Sequence, residues 1–554
     1  MPQNCLRMRK FVFLLALAAA PLPAQTFDFV VYGGTAGGVV TAVSAAREGL
    51  KVALLEPGRH LGGMATGGLS RTDFGKKEVI GGMALEFYWR VGLKYDIGRF
   101  ANEVAWYYEP HVGEQVFREM LEQAGVTVLF NHRLKEHGGV AKSGAMITAI
   151  TTEDGATFRA RAFADCTYEG DLMAQANVQY TFGREASSQY GESLAGVRDR
   201  TPLHQFQVPI RATDEQGKLL PEISPEPKGA TGSADKMVQA YNFRMILSDD
   251  PANRVPFPKP AHYDPRRYEL MARLVAAMQT KLDRPQVLQE VVLVAPIPNH
   301  KADFNNQGAF STDFIGGSWE YPDASYQRRA EIFQAHVEYT KGYFYFLAHD
   351  PRIPKSLQEE VNRWGLARDE FRDTENWPNQ LYIREARRMV GDFVMSQKDV
   401  QTELTKPGAI GMGSYNSDSH NVHRFVNAEG NVENEGDMQV SVTPYQIPYQ
   451  VMVPKRSQAT NLVVPVCFSA SHVAYSSLRM EPQYMIIGQA AGNAVAMALK
   501  SGVALQDIDT ARLTAKLRKD GAVLEYRPAA LGAGYFHELY SKFLPAITVR
   551  QQIP

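Results

Sequence analysis

A glycine-rich turn between two apolar segments constrains the fold of this chain more than any other feature. Residues 29–32 are apolar, a helical pattern follows the turn as far as Gly49, and a second apolar run at 52–55 ends on Glu56. The turn itself reads Gly33, Gly34, Thr35, Ala36, Gly37 and Gly38. This order predicts a strand–helix–strand unit whose turn brings backbone N–H groups to a pyrophosphate, while Glu56 accepts a hydrogen bond from a ribose hydroxyl. The chain is therefore expected to bind an adenine dinucleotide.

The turn departs from the G-x-G-x-x-G template at one position. Gly33 and Gly38 stand at its first and third glycines, but Thr35 takes the second, so the backbone there must tolerate a β-carbon. No arginine directly follows Glu56, which weighs against a 2′-phosphate and therefore against NADP.

A second set of glycines past Glu56 narrows the cofactor. The segment Gly62-Gly63-Met64, followed by Gly67-Gly68, is placed to wrap the far side of the pyrophosphate and approach a flavin. The expected cofactor is therefore FAD rather than NAD, and a plain loop is the alternative for Gly67-Gly68.

Length and charge set the class of protein. The chain has 554 residues, enough for a large core and two or more interleaved domains. Its formal net charge is −1, so no basic field favours nucleic acid as a partner.

The first residues predict export. Arg7, Arg9 and Lys10 precede an apolar run at 11–20, and small residues and prolines lead to Ala24, as in a secretory signal peptide. A membrane anchor is the alternative, but ten apolar residues are too few to span a bilayer. The mature chain is thus expected to be periplasmic or secreted, with no stable membrane span.

Cysteine and histidine spacing gives no metal motif. Cys166 and Cys467 remain after signal cleavage, and we expect two buried thiols, although a single disulfide between them stays open. His420 and His423 are three residues apart and lack a third ligand at a persuasive spacing. No metal site is predicted.

A β-hairpin pattern at 145–164 ends on the motif Asp165-Cys166-Thr167, with Tyr168 where related sequences have glycine. The segments 183–185, 299–303, 382–388 and 479–482 carry further shared motifs. On these segments the chain resembles the FAD-dependent oxidoreductases related to the flavoprotein subunits of fumarate reductase and succinate dehydrogenase. It is most similar to an exported branch, some members of which carry a "xanthan lyase" label.

The resemblance implies an α/β fold, with a discontinuous Rossmann-like FAD-binding domain and an inserted α+β substrate domain. The predicted divisions are a signal peptide at 1–24, FAD-binding parts at 25–185 and 436–502, a substrate domain at 186–435 and a C-terminal extension at 503–554. Leu134 lies where such folds pass the adenine. The helix expected to begin at Pro482 points its start at the flavin in this family, and its small residues pack tightly.

The residues predicted to contact FAD are therefore Gly33, Gly34, Thr35, Ala36, Gly37, Gly38, Glu56, Gly62, Gly63, Met64, Gly68, Leu134, Asp165, Cys166, Thr167, Gly488, Gln489, Ala490 and Ala491.

Four residues are candidates for catalysis. His472 titrates near neutrality and lies just before the expected flavin helix, which suits a general base, with a structural histidine as the alternative. Arg384 is expected to share a face with Arg388 and to pair with carboxylates or reduced flavin, with a solvated face as the alternative. Arg479 and Glu481 either orient substrate or pair with each other.

Three functions follow from these residues. The first is an exported oxidoreductase in which a sugar or other hydroxylated small molecule passes a hydride to FAD, with an unidentified electron acceptor as the further partner. Aromatic, amide and carboxylate side chains at 303–321 favour a sugar, and a polar loop over an aromatic core is the alternative. The second function is a reductase of C=C bonds of the fumarate reductase type. The third is a carbohydrate-binding or lyase protein in which FAD is structural.

Overall fold

The computed structural model describes residues 25–95 and 104–527 of the chain. The predicted signal peptide and the last part of the predicted C-terminal extension, residues 528–554, lie outside these residues. Among the helices of the described part, none has the length and apolarity needed to cross a bilayer.

The described residues contain twenty strands and thirteen α-helices, besides short 3-10 helices. The strands are β1 Gln25–Tyr32, β2 Val52–Glu56, β3 Thr127–Phe130, β4 Val140–Ser143, β5 Met146–Thr151, β6 Thr157–Asp165, β7 Tyr180–Thr181, β8 Met245–Ser248, β9 Arg254–Val255, β10 Val292–Ile297, β11 Lys301–Asn306, β12 Gly365–Ala367, β13 Arg388–Met389, β14 Ala409–Gly413, β15 Ser417–Ser419, β16 His423–Val426, β17 Val432–Glu435, β18 Met438–Val440, β19 Tyr445–Pro448 and β20 Leu462–Val463. The helices are α1 Ala36–Arg47, α2 Gly82–Leu93, α3 Pro110–Ala124, α4 Asp171–Gln175, α5 Ser187–Tyr190, α6 Glu269–Leu282, α7 Leu288–Val291, α8 Tyr326–His349, α9 Lys355–Asn362, α10 Gln397–Gln401, α11 His472–Leu478, α12 Glu481–Ser501 and α13 Thr510–Lys519.

The first sheet has the strand order β3-β2-β1-β6-β5-β4, and β20 also pairs with β6. Strands β1, β2, β3, β6 and β20 run parallel, whereas β4 and β5 are antiparallel. Tyr32, the last residue of β1, lies opposite Leu55 on β2 and Asp165 on β6. The carboxyl ends of these three strands therefore meet at one edge of the sheet, where ligands bind in open parallel sheets. The α/β class and the Rossmann-like unit are confirmed.

Helices α1 and α12 lie against each other through small residues. A β-carbon on Gly488 would collide with the carbonyl oxygen of Gly37, and one on Gly37 would lie 3.1 Å from the carbonyl oxygen of Tyr484. Backbone therefore meets backbone at this crossing, which joins two segments about 450 residues apart. Helix α12 begins at Glu481, has Pro482 in its first turn and ends before Gly502, as the sequence predicts.

A second sheet lies within residues 186–435. Its order is β10-β11-β8-β12-β9 with antiparallel pairing, and none of its strands joins the first sheet. One continuous hydrophobic cluster nevertheless contains Val40 on α1 and Phe304 on β11, so the two sheets share a core. A separate substrate domain stays a prediction.

The alternative of a solvated face at residues 381–390 is wrong. This stretch is extended and ends in β13, which pairs with β7. Arg384, Glu385 and Arg388 are each at most 1% exposed, because every one of these charges has a buried partner. Cys166 and Cys467 are buried free thiols, which confirms the expectation for the cysteines.

Candidate active site

The end of β2 holds a fixed carboxylate beside the glycine-rich turn. One oxygen of Glu56 accepts from the Gly34 N–H at 2.7 Å, and the other accepts from the Gly58 N–H at 2.6 Å. A β-carbon on Gly34 would lie 2.9 Å from the Glu56 carboxylate and 2.8 Å from a methyl of Leu61, so the approach requires glycine. Burial raises the pKa of Glu56 to about 7, and the two N–H groups oppose that shift. The carboxyl group is placed at the strand end where a ribose-binding acid belongs.

The side chain of Thr35 explains why the turn departs from its template. Its hydroxyl donates to the Cys166 carbonyl oxygen at 2.7 Å and accepts from the Gly38 N–H at 3.1 Å. Thr35 is thus the N-cap of α1, and its β-carbon points toward the end of β6. The remaining N–H groups of the first turn have no intrahelical acceptor and can receive a pyrophosphate.

The motif after β6 is held by internal hydrogen bonds. Asp165 accepts from the Met173 N–H at 2.8 Å and from the Thr167 hydroxyl at 2.7 Å, and the same hydroxyl accepts from the Gly170 N–H. Burial raises the pKa of Asp165 to about 6. Asp165 therefore shapes the turn that places Cys166 and Thr167 beside Gly33.

A cavity of about 460 Å³ opens beside this edge of the sheet. Its wall includes residues at the carboxyl ends of four strands: Tyr32 on β1, Pro57 after β2, Arg133 after β3 and Thr167 after β6. Leu134 donates its N–H to the Tyr32 hydroxyl at 3.0 Å just behind this wall. The position and size suit the adenosine end of FAD.

Tyr168 joins three of the predicted cofactor segments. Its hydroxyl accepts from the Met64 N–H at 2.8 Å and donates to Glu481 Oε1 at 2.6 Å. A β-carbon on Gly63 would collide with that hydroxyl, and Gly62, Gly63 and Gly68 all have positive φ. The tyrosine that replaces the family's glycine thus links the Gly62–Met64 turn to the start of α12.

The middle of α12 makes structural contacts. Gly488 packs on α1, and Gln489 accepts from the Met83 N–H at 2.9 Å. Ala490 and Ala491 are fully buried. Direct contact of these four residues with FAD stays a prediction.

Two buried arginines flank the ring of Tyr382, and we call this group the Tyr382 site: Tyr382, Arg384 and Arg479. The guanidinium carbons of Arg384 and Arg479 lie 4.7 Å and 5.7 Å from the ring centroid. Arg479 donates to the Tyr382 hydroxyl at 2.9 Å and to the Asp418 carbonyl oxygen at 2.8 Å. It does not pair with Glu481, so that alternative is wrong.

Arg384 is better neutralised than Arg479. It lies 3.0 Å from Asp313 Oδ1, and the other oxygen of Asp313 bonds His420 Nδ1 at 2.7 Å. Burial alone would raise the pKa of Asp313, but Arg384 and His420 outweigh it and lower that pKa to about 2. The carboxylate nearest to Arg479 is that of Asp418, at 3.9 Å.

His472 belongs to a second buried network. Its Nδ1 bonds Glu385 Oε2 at 2.8 Å, and Gln239 connects that same oxygen to the backbone N–H of His420. Burial lowers the pKa of His472 to about 3, so the ring is neutral at pH 7. The structure thus connects His472 to the Asp313 support of Arg384, one layer behind the Tyr382 site. A role as general base stays a prediction.

Two buried polar atoms of the Tyr382 site have no hydrogen-bond partner among the described residues: Arg384 Nε and Arg479 Nε. Other atoms of this kind in residues 25–95 and 104–527 include Ser70 Oγ, Thr72 Oγ1, Tyr88 Oη, Glu481 Oε2 and both amide atoms of Gln483. Buried polar groups are nearly always satisfied in native proteins, so the two arginine Nε groups are available to a polar ligand. The residues present therefore fit a bound flavin and substrate.

Sequence reasoning missed Tyr382, Tyr168 and Arg244 as site residues. Arg244 pairs with Asp303 through two hydrogen bonds, at 2.8 and 2.6 Å, and reaches Asp73 at 3.5 Å beside the Tyr382 site. The available signals were Tyr168 at a glycine position and Tyr382 two residues before Arg384.

A family model described as FAD dependent oxidoreductase matches residues 28–517. The chain belongs to that family. It is an FAD-dependent oxidoreductase, and FAD is its cofactor. The closer resemblance to the fumarate reductase relatives and to the "xanthan lyase" branch stays a prediction, and no curated protein matches the chain.

Solved structures share only a small part of this fold. An L-amino acid deaminase from Proteus vulgaris is 14% identical over 30% of this chain and 53% of its own, with a TM-score of 0.22. NikD, an amino acid oxidase essential for nikkomycin biosynthesis, is 14% identical over 29% and 57%, with a TM-score of 0.22. The p-nitrophenol 4-monooxygenase PnpA from Pseudomonas putida DLL-E4 is 18% identical over 29% and 45%, with a TM-score of 0.19. The chain spans about half the length of these three proteins.

Proposed function

We propose that this oxidoreductase oxidises a small hydroxylated acid, such as a hydroxy acid or a sugar acid, bound at the Tyr382 site. One observation carries the proposal. Arg479 is 3% exposed, yet its hydrogen bonds go to a phenol and a backbone carbonyl, its Nε has no partner, and the nearest carboxylate lies 3.9 Å away. Because a buried cation without a hydrogen-bonded anion is costly, an anionic substrate group is its natural partner.

The two arginines have different tasks in this proposal. Arg384 is already near Asp313, so it adds a hydrogen-bond donor at Nε but little uncompensated charge. Arg479 has no hydrogen-bonded carboxylate among the described residues, and it binds the carboxylate of the substrate. Tyr382 fixes the distance between the two guanidinium groups through its ring and hydroxyl. The glycine segments at 33–38 and 62–64 would hold FAD, and the bound flavin would supply the hydride acceptor for this oxidation.

A chain of hydrogen bonds supports Arg384 from behind the Tyr382 site. It runs through Asp313, His420, Gln239, Glu385 and His472. Four of its members are buried and His420 is partly buried, and every charge in it has a partner, so the chain holds Arg384 in one orientation. His472 is therefore proposed as a positioning residue.

The test is an anaerobic screen of matched substrates with the FAD-loaded enzyme. Hydroxy acids and sugar acids are each mixed beside the corresponding amide, and bleaching of the oxidised flavin's visible absorbance is followed. The acids are expected to bleach the flavin at least about tenfold faster than their amides at equal concentration, since one charge-assisted hydrogen bond contributes about 1.5–3 kcal/mol. Equal rates for acids and amides would remove the anionic substrate, and bleaching by neutral sugars alone would restore the uncharged sugar as the substrate class.

Reduction of the C=C bond of an unsaturated acid is the second candidate, because the same arginine pair would also bind such an acid. It predicts that photoreduced enzyme is reoxidised anaerobically by unsaturated acids and that hydroxy acids leave the oxidised flavin unchanged.

Export stays a proposal that rests on residues 1–24. Radiolabelled or tagged full-length chain should lose these residues and be recovered outside the inner membrane of its host. A chain that keeps residue 1 and remains inside the cell would contradict it.

A further inference from the structure

Glu481 is a buried carboxyl group without a counter-cation. It is the first residue of α12 and is 3% exposed. Oε1 accepts from the Tyr168 hydroxyl at 2.6 Å, whereas Oε2 has no hydrogen-bond partner among the described residues. No lysine, arginine or histidine of that part of the chain forms an ion pair with it. A carboxylate in this position is much less stable than a carboxylic acid.

The titratable groups that face Glu481 are phenols. They are Tyr88 on α2, Tyr108 before α3, Tyr168 after β6 and Tyr484 on α12. Burial raises the pKa of each of these tyrosines first, and Glu481 raises it further. Burial raises the pKa of Glu481 itself to about 8, and the hydrogen bond from Tyr168 opposes the shift. Glu481 therefore changes charge just above neutrality, and its neighbours stay neutral.

Glu481 belongs to the segment that connects the Tyr382 site with the start of α12. Arg479 is two residues before it, and the pKa of Tyr168, whose hydroxyl bonds Glu481 Oε1, is raised by burial first and then by both Glu481 and Tyr382. Tyr168 is also held by the Met64 N–H at 2.8 Å, in the segment predicted to approach the flavin. The carboxyl group is thus fixed by one oxygen and leaves the other for an exchange of protons.

We propose that Glu481 is the acid–base residue of this site and that Tyr168 positions it. In the oxidation, the substrate O–H bond breaks and its proton passes to Glu481 Oε2. The C–H bond breaks with its electron pair, the hydride passes to FAD, and a C=O bond forms in the substrate. The reverse reaction returns the same proton from Glu481. This inference rests on the proposed oxidation of a hydroxylated acid.

The proposal predicts a pH profile with a definite sign. Oxidation needs the carboxylate, so kcat should rise as pH increases through about 8, and the reverse reaction should slow over the same range. Glu481→Gln, which keeps the shape and removes the charge, should lower kcat by about 10²- to 10⁴-fold and abolish the rise. Tyr168→Phe removes a hydrogen bond that lowers the pKa of Glu481, so the rise should move to higher pH while remaining present. Tyr475→Phe is the matched control, because its hydroxyl bonds Tyr484 and Val466 and does not touch Glu481.

Infrared spectroscopy tests the same carboxyl group without any substrate. The FAD-loaded wild-type protein should show a protonated-carboxyl band that disappears between pH 7 and 9, at a midpoint that moves upward in Tyr168→Phe. This band should be missing from Glu481→Gln and unchanged in Tyr475→Phe, whereas a carboxyl band from Glu56, whose pKa burial raises to about 7, is expected in all four proteins. Spectra of wild type and Glu481→Gln that are the same across this range would overturn the proposal, as would an unchanged pH profile of kcat in Glu481→Gln.

The failure of the proposed function can be recognised separately. If no acid bleaches the flavin, the reduction potential of the bound FAD is measured against pH in wild type and Glu481→Gln. A change of slope near the infrared midpoint that the substitution removes would keep Glu481 as the proton-exchanging group of the site. Parallel curves for the two proteins would overturn it.

Discussion

Removal of the Thr35 hydroxyl is a direct perturbation of the turn that receives the cofactor's pyrophosphate. The hydroxyl makes two hydrogen bonds, one from the Gly38 N–H that caps α1 and one to the Cys166 carbonyl oxygen at the end of β6. Thr35→Ala loses both. Loss of an N-cap costs about 0.5–2 kcal/mol, and loss of a buried hydrogen bond adds about 1 kcal/mol.

The loss should be measured as FAD affinity rather than as global stability, because the chain is large and its unfolding is not expected to be two-state. If Thr35→Ala destabilises the conformation that binds the pyrophosphate by about 1–2 kcal/mol, the Kd for FAD rises by about 5- to 30-fold. Quenching of flavin fluorescence on titration of the apoprotein gives that constant. Thr35→Ser keeps the hydroxyl and is expected to bind FAD within about twofold of wild type.

Thr35→Gly restores the glycine template and separates two explanations. If the position only needs close backbone approach, this variant binds FAD as well as wild type or better. If the hydroxyl's bond to the Cys166 carbonyl oxygen matters, it binds FAD more weakly than wild type, because glycine is tolerated as an N-cap but cannot make that bond. Equal FAD affinities for wild type, Thr35→Ala and Thr35→Ser would show that the Thr35 hydroxyl does not contribute to FAD binding.

Two further predictions follow from the same structure. Gly63→Ala places a β-carbon against the Tyr168 hydroxyl and should release FAD and lower the melting temperature. Gly125→Ala is the control, because Gly125 also has a positive φ but a β-carbon there would meet nothing within 4 Å, so only the smaller backbone effect of about 1–2 kcal/mol is expected. Equal losses in both variants would show that the Tyr168 contact does not matter. Burial lowers the pKa of His336 to about 4, so unfolding takes up a proton between pH 4 and about 6.5 and stability rises with pH across that window. His336→Gln should flatten this dependence, so the midpoint of chemical denaturation should shift less between pH 4.5 and 7 than in wild type, and an equal shift would contradict it.

The cofactor end of the molecule could be predicted from sequence because its signals are local. The glycine turn, Glu56 and the Pro482-to-Gly502 helix each depend on residues close in sequence, and parallel strand order then brings them to one edge. Even the departure at Thr35 was visible, although its physical reason was not. That reason is a hydrogen bond to Cys166, 131 residues later.

The substrate end could be predicted only as isolated residues. Arg384 and Arg479 were identified singly, but their common contact with Tyr382 depends on how an extended segment and the start of α12 meet across the fold. The density of charge around Arg384 suggested a solvated face, because the sequence does not reveal that each charge has a buried partner. Glu481 was linked to Arg479 by proximity in sequence, whereas its hydrogen bond goes to Tyr168.

The most direct test of the account is the acid-to-amide preference in a variant of Arg479. For a substrate that bleaches the flavin, kcat/KM is measured for the acid and its amide with wild type, Arg479→Lys, Arg479→Gln and the surface control Arg352→Gln. If Arg479 binds the substrate carboxylate, Arg479→Gln should lower kcat/KM for the acid by about 10- to 100-fold. It should change kcat/KM for the amide by less than about threefold, so the preference for the acid disappears. Arg479→Lys should keep part of the preference, and Arg352→Gln should keep all of it. A preference that survives intact in Arg479→Gln would contradict the binding of an anionic substrate at the Tyr382 site.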